Sequence, residues 1–275
     1  MPKIAVLQMT SGIDPEANMF AIEDAAQEAS NAGAKVLFTP EMSILIDKDR
    51  KRAMDWIESS GPGEITERMF NYAGEFGIDI ALGSQPVRAP SGKWANRSMY
   101  FDRRLEGQVR CAVYDKMHMF DVDLANGETW RESNAYEAGQ HVVSVRDTPV
   151  GKLGMTICYD LRFPALFEEL GQRKCDAIAV PAAFTVPTGK AHWHVMLRAR
   201  AIEASAFVIA AAQVGKHEDG RETYGHSLVV DPWGEVLLDM GGDEPGLGFC
   251  DIDLSRIEEV RAQLPSLANK REIPN

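Results

Sequence analysis

The first forty residues limit the fold more than any other stretch of the chain. Residues 3–9 (KIAVLQM) are an apolar run of strand character, and residues 35–39 (KVLFT) are another. Between them Asp14-Pro15 opens a helix. An aspartate accepts from the first unpaired backbone N–H groups of a helix, and proline is preorganised for its first turn. Met19, Ile22, Ala26 and Ala29 recur at three- and four-residue steps and give this helix one apolar face, and Gly33 supplies its stop. Strand, helix, strand in that order predicts parallel strands with a helix laid over them. The alternation continues. A helix is expected over 64–75, and strands over 78–82, 96–101, 109–114, 142–145 and 152–157. Further strands are expected over 176–180, 207–212, 225–230, 235–238 and 248–253, with helices after Pro164, over 191–205 and from Ser255. Gly61-Pro62-Gly63 and Glu106-Gly107 read as turns, and 117–139 and 182–189 as loops. The class is α/β.

With 275 residues, no internal repeat and no low-complexity linker, one domain spanning 1–275 is the simplest organisation. The net charge is −12 and no basic block stands out, which argues against nucleic acid as a partner. The charge run at 47–52 reads as a solvated helix face. No apolar run reaches the length of a membrane span, so no membrane partner is expected. Cys111, Cys158, Cys175 and Cys250 form no CxxC pair, and no leader segment is visible, so a reducing cytoplasm is expected. His192 and His194 are two apart and point in different directions on a helix. Asp121 and Asp123 are too little for a cation site, and neither HExxH nor a glycine-rich phosphate loop occurs. Neither a metal nor an organic cofactor is expected.

Three strand ends carry reactive side chains. Glu41 follows FTP, Lys116 follows the strand ending in Tyr114-Asp115, and Cys158 stands where GMTI gives way to YDLRFP. Each has a plain alternative: a cysteine packs as a small hydrophobe, and a glutamate or lysine at a strand end is solvated. Their recurrence in one local setting is the signal. If the strands share a sheet and a direction, the three converge at one edge, where ligand chemistry collects in open α/β folds. The chemistry then closes without histidine. An ammonium favours the thiolate, a glutamate takes the thiol proton and later activates water, and the lysine steadies an oxyanion. The backbone N–H of Tyr159 is a second oxyanion donor. Attack on an amide releases the amine and leaves a thioester that water cleaves. Arg162 suits either a substrate carboxylate or a buried pair with a glutamate. Phe184 and Thr185 are placed to wall the pocket, and Arg198, Arg200 and Glu203 to form ion pairs along their helix.

The segments FTPE, YDKMHMFD and GMTICYDLRFP resemble, in order, the three catalytic motifs of the nitrilase (carbon–nitrogen hydrolase) superfamily. The resemblance covers nearly the whole chain. It implies a four-layer α–β–β–α sandwich with Glu41 as general base, Lys116 as catalytic lysine and Cys158 as nucleophile. It further implies that Glu132 in WRES positions the lysine, and that subunits pair into a homodimer or higher assembly. PAAFTVPTGKAHWHVMLRARAIEASAFVIAAAQ and YGHSLVVDPWGEVL resemble the nitrilase-homologue branch that includes deaminated glutathione amidase. That resemblance implies a small amide substrate carrying a carboxylate, hydrolysed as metabolite repair. The ω-amidase branch, acting on 2-oxoglutaramate, stands beside it. Two readings of other classes remain: a Cys–His hydrolase using His118 or His226, and a catalytically inactive binding module.

Overall fold

In a computed structural model of the chain, residues 1–58, 63–104, 111–123, 127 and 129–272 are described. Gly61-Pro62, the Glu106-Gly107 turn, Val109 and Glu128 lie outside them. The first half runs β1 (Lys3–Gln8), α1 (Pro15–Asn31), β2 (Val36–Phe38), α2 (Arg50–Ala53), α3 (Glu64–Phe76), β3 (Asp79–Arg88), β4 (Trp94–Phe101) and β5 (Cys111–Asp115). A small hairpin follows, β6 (Asp121–Asp123) with β7 (Thr129–Arg131). The second half begins β8 (Ser144–Thr148), β9 (Gly151–Met155), α4 (Pro164–Gln172), β10 (Ala177–Ala179), α5 (Val186–Ala204) and β11 (Phe207–Ala210). It ends β12 (Val214–Lys216), β13 (Glu222–Tyr224), β14 (Leu228–Val230), β15 (Val236–Asp239), β16 (Gly246–Asp251) and α6 (Ser255–Gln263).

These strands form two six-stranded sheets, ordered β16-β1-β2-β3-β4-β5 and β15-β14-β11-β10-β9-β8. The centres are parallel, β1-β2-β3 in one and β9-β10-β11 in the other, as the opening strand–helix–strand pattern requires. Side chains alternate across the first sheet with the two-residue period of a strand. Ile4, Val6, Val36, Phe38 and Tyr100 pack into the core shared with the second sheet. Ala5, Leu7, Leu37, Ile80 and Phe101 pack outward, with Met19 and Ile22 of α1 and Met69 and Ala73 of α3. On the far side Phe167 of α4 and Trp193 and Leu197 of α5 cover the second sheet. The result is the expected α–β–β–α sandwich. The strands covered on both faces, such as 177–179 and 207–210, read as unbroken apolar runs for that reason.

Several boundaries differ from the expectations, each for a local reason. Helix α5 starts at Val186 rather than 191, because Pro187 suits a first turn and Gly189 sits in helix where a Cβ would strike the Tyr224 ring. Strand β3 runs on to Arg88 through Pro86, which lies beyond the reach of β2, so its missing N–H breaks no ladder bond on that side. The expected loop 117–139 contains the β6–β7 hairpin, and the β12–β13 hairpin was not foreseen.

Gly83 has a distinct structural duty. A Cβ there would fall 2.1 Å from the carbonyl oxygens of both Thr39 and Pro40, backbone atoms that cannot swing aside. Its N–H donates to Thr39 Oγ1 at 2.9 Å. A bare residue is therefore needed where β3 passes the corner that delivers Glu41. Gly83→Ala is expected to lower stability by roughly 1–3 kcal/mol, the usual result of overfilling a packed interior. A drop in the urea midpoint at constant slope measures this.

Candidate active site

Glu41, Lys116 and Cys158 converge, but not at the edge of one sheet. Glu41 and Lys116 leave β2 and β5 of the first sheet, whereas Cys158 leaves β9 of the second. The site is thus assembled between the two sheets, which a reading of isolated strands cannot foresee. After Glu41 the backbone bends through a left-handed residue, Met42 (φ +54°), whose N–H donates to Ser84 Oγ at 2.8 Å. Lys116 is fixed by its own backbone: its N–H donates to Asn96 O at 2.9 Å and its carbonyl accepts from Gly139 N at 2.8 Å. Cys158 itself is left-handed (φ +48°), and its N–H donates to Pro181 O at 2.9 Å as the chain enters the 3-10 turn Cys158–Arg162. Side chains rarely adopt that conformation, and here it turns the thiol out of the strand end.

Asp160 holds this bend. Its buried carboxylate accepts from Ile157 N (2.9 Å), Tyr114 Oη (2.6 Å) and His118 N (3.1 Å), and contacts His118 Nδ1 at 2.6 Å. It therefore ties the cysteine turn to β5 and to the residues just after Lys116. On the opposite flank Arg200 Nε donates to Leu161 O at 2.8 Å.

Lys116 Nζ stands 3.0 Å from Glu41 Oε1 and 3.0 and 2.9 Å from the two carboxylate oxygens of Glu132. Glu41 is held further by Asn96 Nδ2 on Oε1 and by the Ala183 N–H on Oε2, both at 2.9 Å. Glu132 accepts the Phe120 N–H at 2.6 Å. The Cys158 thiol lies beside the Glu41 carboxylate and the Ala183 N–H that binds it. Cys158, Glu41 and Lys116 are only 8%, 5% and 2% exposed. Burial opposes the charge on Lys116, but Glu132, Glu41 and then Cys158 outweigh it and hold the ammonium well above its ordinary 10.5. Burial, and next the Glu41 charge, push the Cys158 thiol well above its ordinary 9.0, with Lys116 offsetting only part. The ammonium therefore does not outweigh burial and Glu41, and the resting group is a thiol.

These side chains open into a cavity of about 270 Å³. Phe184 and Thr185 line it as expected, and so does Tyr159, whose N–H stands second in the 3-10 turn and meets no acceptor among the described residues. Arg162 lines it too. The guanidinium lies over the Tyr159 and Phe184 rings, at 5.7 and 5.3 Å, and Nη1 is 3.2 Å from His192 Nδ1. Among the described residues no carboxylate pairs with it, so the expected alternative of a buried glutamate partner is not formed. Arg200 and Glu203 do pair, at 2.7 Å, but Arg198 instead donates to Gly234 O at 2.7 Å. Neither histidine of the Cys–His reading lines the cavity. His118 stacks on Phe163 at 3.6 Å and serves Asp160, and His226 Nδ1 meets Asp239 at 2.9 Å. Asp239 takes His194 on its other oxygen at 3.0 Å, making a cluster of metal-ligand type away from the cavity. Asp121 caps Ser133 N at 3.0 Å, and Asp123 pairs with Arg131 at 2.8 Å. The 47–52 charge run, read as a plain solvated face, also differs: Asp47, Lys48 and Arg50 line the cavity.

Sequence reasoning passed over Asn96, Asp160 and the Ala183 N–H. The strand-end position of Ala183, just after Pro181, was the available signal for the last. Nothing local marked the other two.

The chain matches the carbon–nitrogen hydrolase family over residues 3–262 and belongs to it. It is 38% identical over 271 residues to the deaminated glutathione amidase of Yersinia enterocolitica, covering 98% of this chain and 92% of that protein. Among solved structures, the NitFhit protein of C. elegans superposes with a TM-score of 0.88 at 36% identity, covering 98% of this chain and 65% of that longer one. An amidase from Nesterenkonia sp. AN1, carrying acrylamide added to its active site cysteine, superposes with a TM-score of 0.77 at 26% identity, covering 96% and 98% of the two chains. Among the described residues no helix is long and apolar enough to cross a membrane.

The raised thiol and ammonium have a consequence for stability. Above pH about 9 the unfolded chain loses the Cys158 proton while the folded chain keeps it, so the folded state binds more protons and stability falls as pH rises. Lys116 adds the same sign above about 10.5. Urea midpoints should therefore decline from pH 9 upward, and the decline should be shallower in Cys158→Ala.

Proposed function

We propose that this protein is a cysteine amidase that hydrolyses the amide of deaminated glutathione to 2-oxoglutarate and cysteinylglycine. The observation that carries the reading is the buried contact of Glu41 with both Lys116 Nζ and the Cys158 thiol at the floor of one cavity. Because the resting group is a thiol, proton transfer to Glu41 accompanies attack of sulfur on the amide carbonyl carbon. The oxygen becomes an oxyanion, met by the Lys116 ammonium and the unengaged Tyr159 N–H. Glu41 returns the proton to the departing amine, the C–N bond breaks, and an acyl thioester remains on Cys158. Water, deprotonated by Glu41, attacks the thioester, and the thiol leaves with its proton restored. Glu132 touches no reacting atom. It keeps Lys116 charged and aimed, since removing one partner of a buried ion pair leaves an uncompensated charge worth about 3–5 kcal/mol. Arg162, aromatic-stacked beside the nucleophile and without a carboxylate partner among the described residues, suits an anionic acyl group.

The names of the curated relatives support deaminated glutathione over the smaller amide of the ω-amidase reading, as does a cavity spacious for a five-carbon acyl group. A homodimer is supported by exposed Val195 and Ile202 of α5 and Trp233, Val236 and Leu237 near β15, apolar side chains left in solvent.

Incubation with deaminated glutathione should release 2-oxoglutarate. Cys158→Ala should fold and lose all turnover, and Glu41→Gln should lose roughly a hundredfold or more. Wild-type rates in Cys158→Ala would end the thioester mechanism. Release of ammonia from 2-oxoglutaramate with no turnover of deaminated glutathione would transfer the assignment to ω-amidase. Acyl-enzyme trapped at Cys158 and seen by mass spectrometry distinguishes either from an inactive module.

A further inference from the structure

We infer that the outer end of the cavity is a carboxylate subsite, formed by Lys48, Arg50 and the indole N–H of Trp130, that takes the anionic leaving group of the amide. The inference rests on the amidase reading and specifies what departs in it.

Charge is the first observation. The chain carries a net −12, yet its cavity collects uncommitted cations. Lys48, Arg50 and Arg162 line it, and among the described residues none has a carboxylate in ion-pair reach. The other lining arginines are committed, Arg131 to Asp123 and Arg221 to Asp219, at 2.8 and 2.7 Å. The lining acids are mostly committed too: Asp47 to Arg52 at 2.6 Å, and Glu41 and Glu132 to Lys116. Glu222 is the lining carboxylate left without such a partner among the described residues. Surplus positive charge gathered in one concavity of an acidic chain attracts anions there.

An orphaned donor is the second observation. Trp130 lines the cavity, and among the described residues its buried Nε1 has no hydrogen-bond partner. Buried N–H groups are rarely left so, and a ligand oxygen is the natural acceptor. The ring carries Arg221 at 5.5 Å on its face, and a turn of the indole toward the cavity would present its N–H to a ligand oxygen.

Depth separates two anion positions. Arg162 belongs to the turn that Cys158 begins and lies between Tyr159 and Phe184, at the reacting end. Lys48 and Arg50 are exposed, and Lys48 Nζ sits 3.4 Å from where a Cβ on exposed Gly220 would stand, at the rim. A substrate with its acyl carboxylate at Arg162 and its carbonyl at Cys158 would extend its leaving group toward the rim. The class that fits is an amide between an anionic acyl group and an amino acid or dipeptide with a free carboxyl terminus. An amide that releases ammonia has nothing to place there.

The test compares deaminated glutathione with the same compound carrying a C-terminal carboxamide. The wild-type enzyme should prefer the acid by about tenfold in kcat/KM, with the difference mainly in KM, as for binding shared by ground and transition states. Added salt should narrow the preference, since the rim is exposed. In Lys48→Ala/Arg50→Ala the ratio should fall close to one, and Trp130→Phe should remove part of it. Both cations are exposed, so the double variant keeps its fold. A wild-type ratio near one, or a ratio unchanged in the double variant, overturns the inference. If the wild-type enzyme turns over neither compound, the substrate assignment fails, and calorimetric binding of cysteinylglycine and cysteinylglycinamide to Cys158→Ala decides the subsite alone. Tighter binding of the acid, lost when Lys48 and Arg50 are also replaced, supports it, and equal binding overturns it.

Discussion

One ammonium inside two carboxylates organises this protein. Lys116 Nζ is nearly sealed from water, an arrangement that would cost several kcal/mol for a lone charge. Glu41 on one side and Glu132 on the other compensate it. Much of the surrounding architecture keeps those three groups in register. Asn96 Nδ2 and the Ala183 N–H complete the shell of Glu41, and the Phe120 N–H does so for Glu132. Low-dielectric burial makes the arrangement all-or-none: fully paired it is rigid, and with one partner removed it is a liability. The same burial, with the Glu41 charge, pushes the Cys158 thiol well above its ordinary range.

How far the sequence discloses this can be judged residue by residue. The strand–helix–strand opening predicts parallel strands because a helical crossover allows little else, and β1-α1-β2 obeys it. Glu41, Lys116 and Cys158 are legible as polar residues at the ends of apolar runs, and Glu132 from the motif it shares with a family. Their meeting is not legible in spacing alone, because β2 and β5 lie in one sheet and β9 in the other. Side-chain partners at long sequence separation are the least legible. Asp160 reads as a polar residue after a cysteine, yet it gathers Tyr114, His118 and Ile157. Lys48 and Arg50 read as solvated charge, since a helix face and a cavity rim have the same composition. Pro187 and Gly189 read as loop because breakers and first-turn residues are the same residue types, and tertiary packing decides between them.

The two proposed anion positions would give the cavity a polarity. Arg162 sits in the turn of Cys158 among aromatic rings, and the exposed cations sit at the rim. A ligand anchored at both ends presents one carbonyl to Cys158 and no other, so orientation is a property of the walls rather than of the reacting groups. Binding energy gathered far from the bond being broken then sets up the attack geometry.

The Ala183 N–H spans the interior of the sandwich, since it leaves the end of β10 in the second sheet and lands on a glutamate delivered by the first. Glu41 therefore answers to one sheet and Cys158 to the other, with the shared apolar core between them. A sliding or tilting of one sheet on the other by a fraction of an ångström would change the sulfur-to-carboxylate separation directly. If Glu41 and Cys158 act as proposed, turnover would depend on how the two sheets are seated, and core residues such as Phe38 and Met155 lie between them.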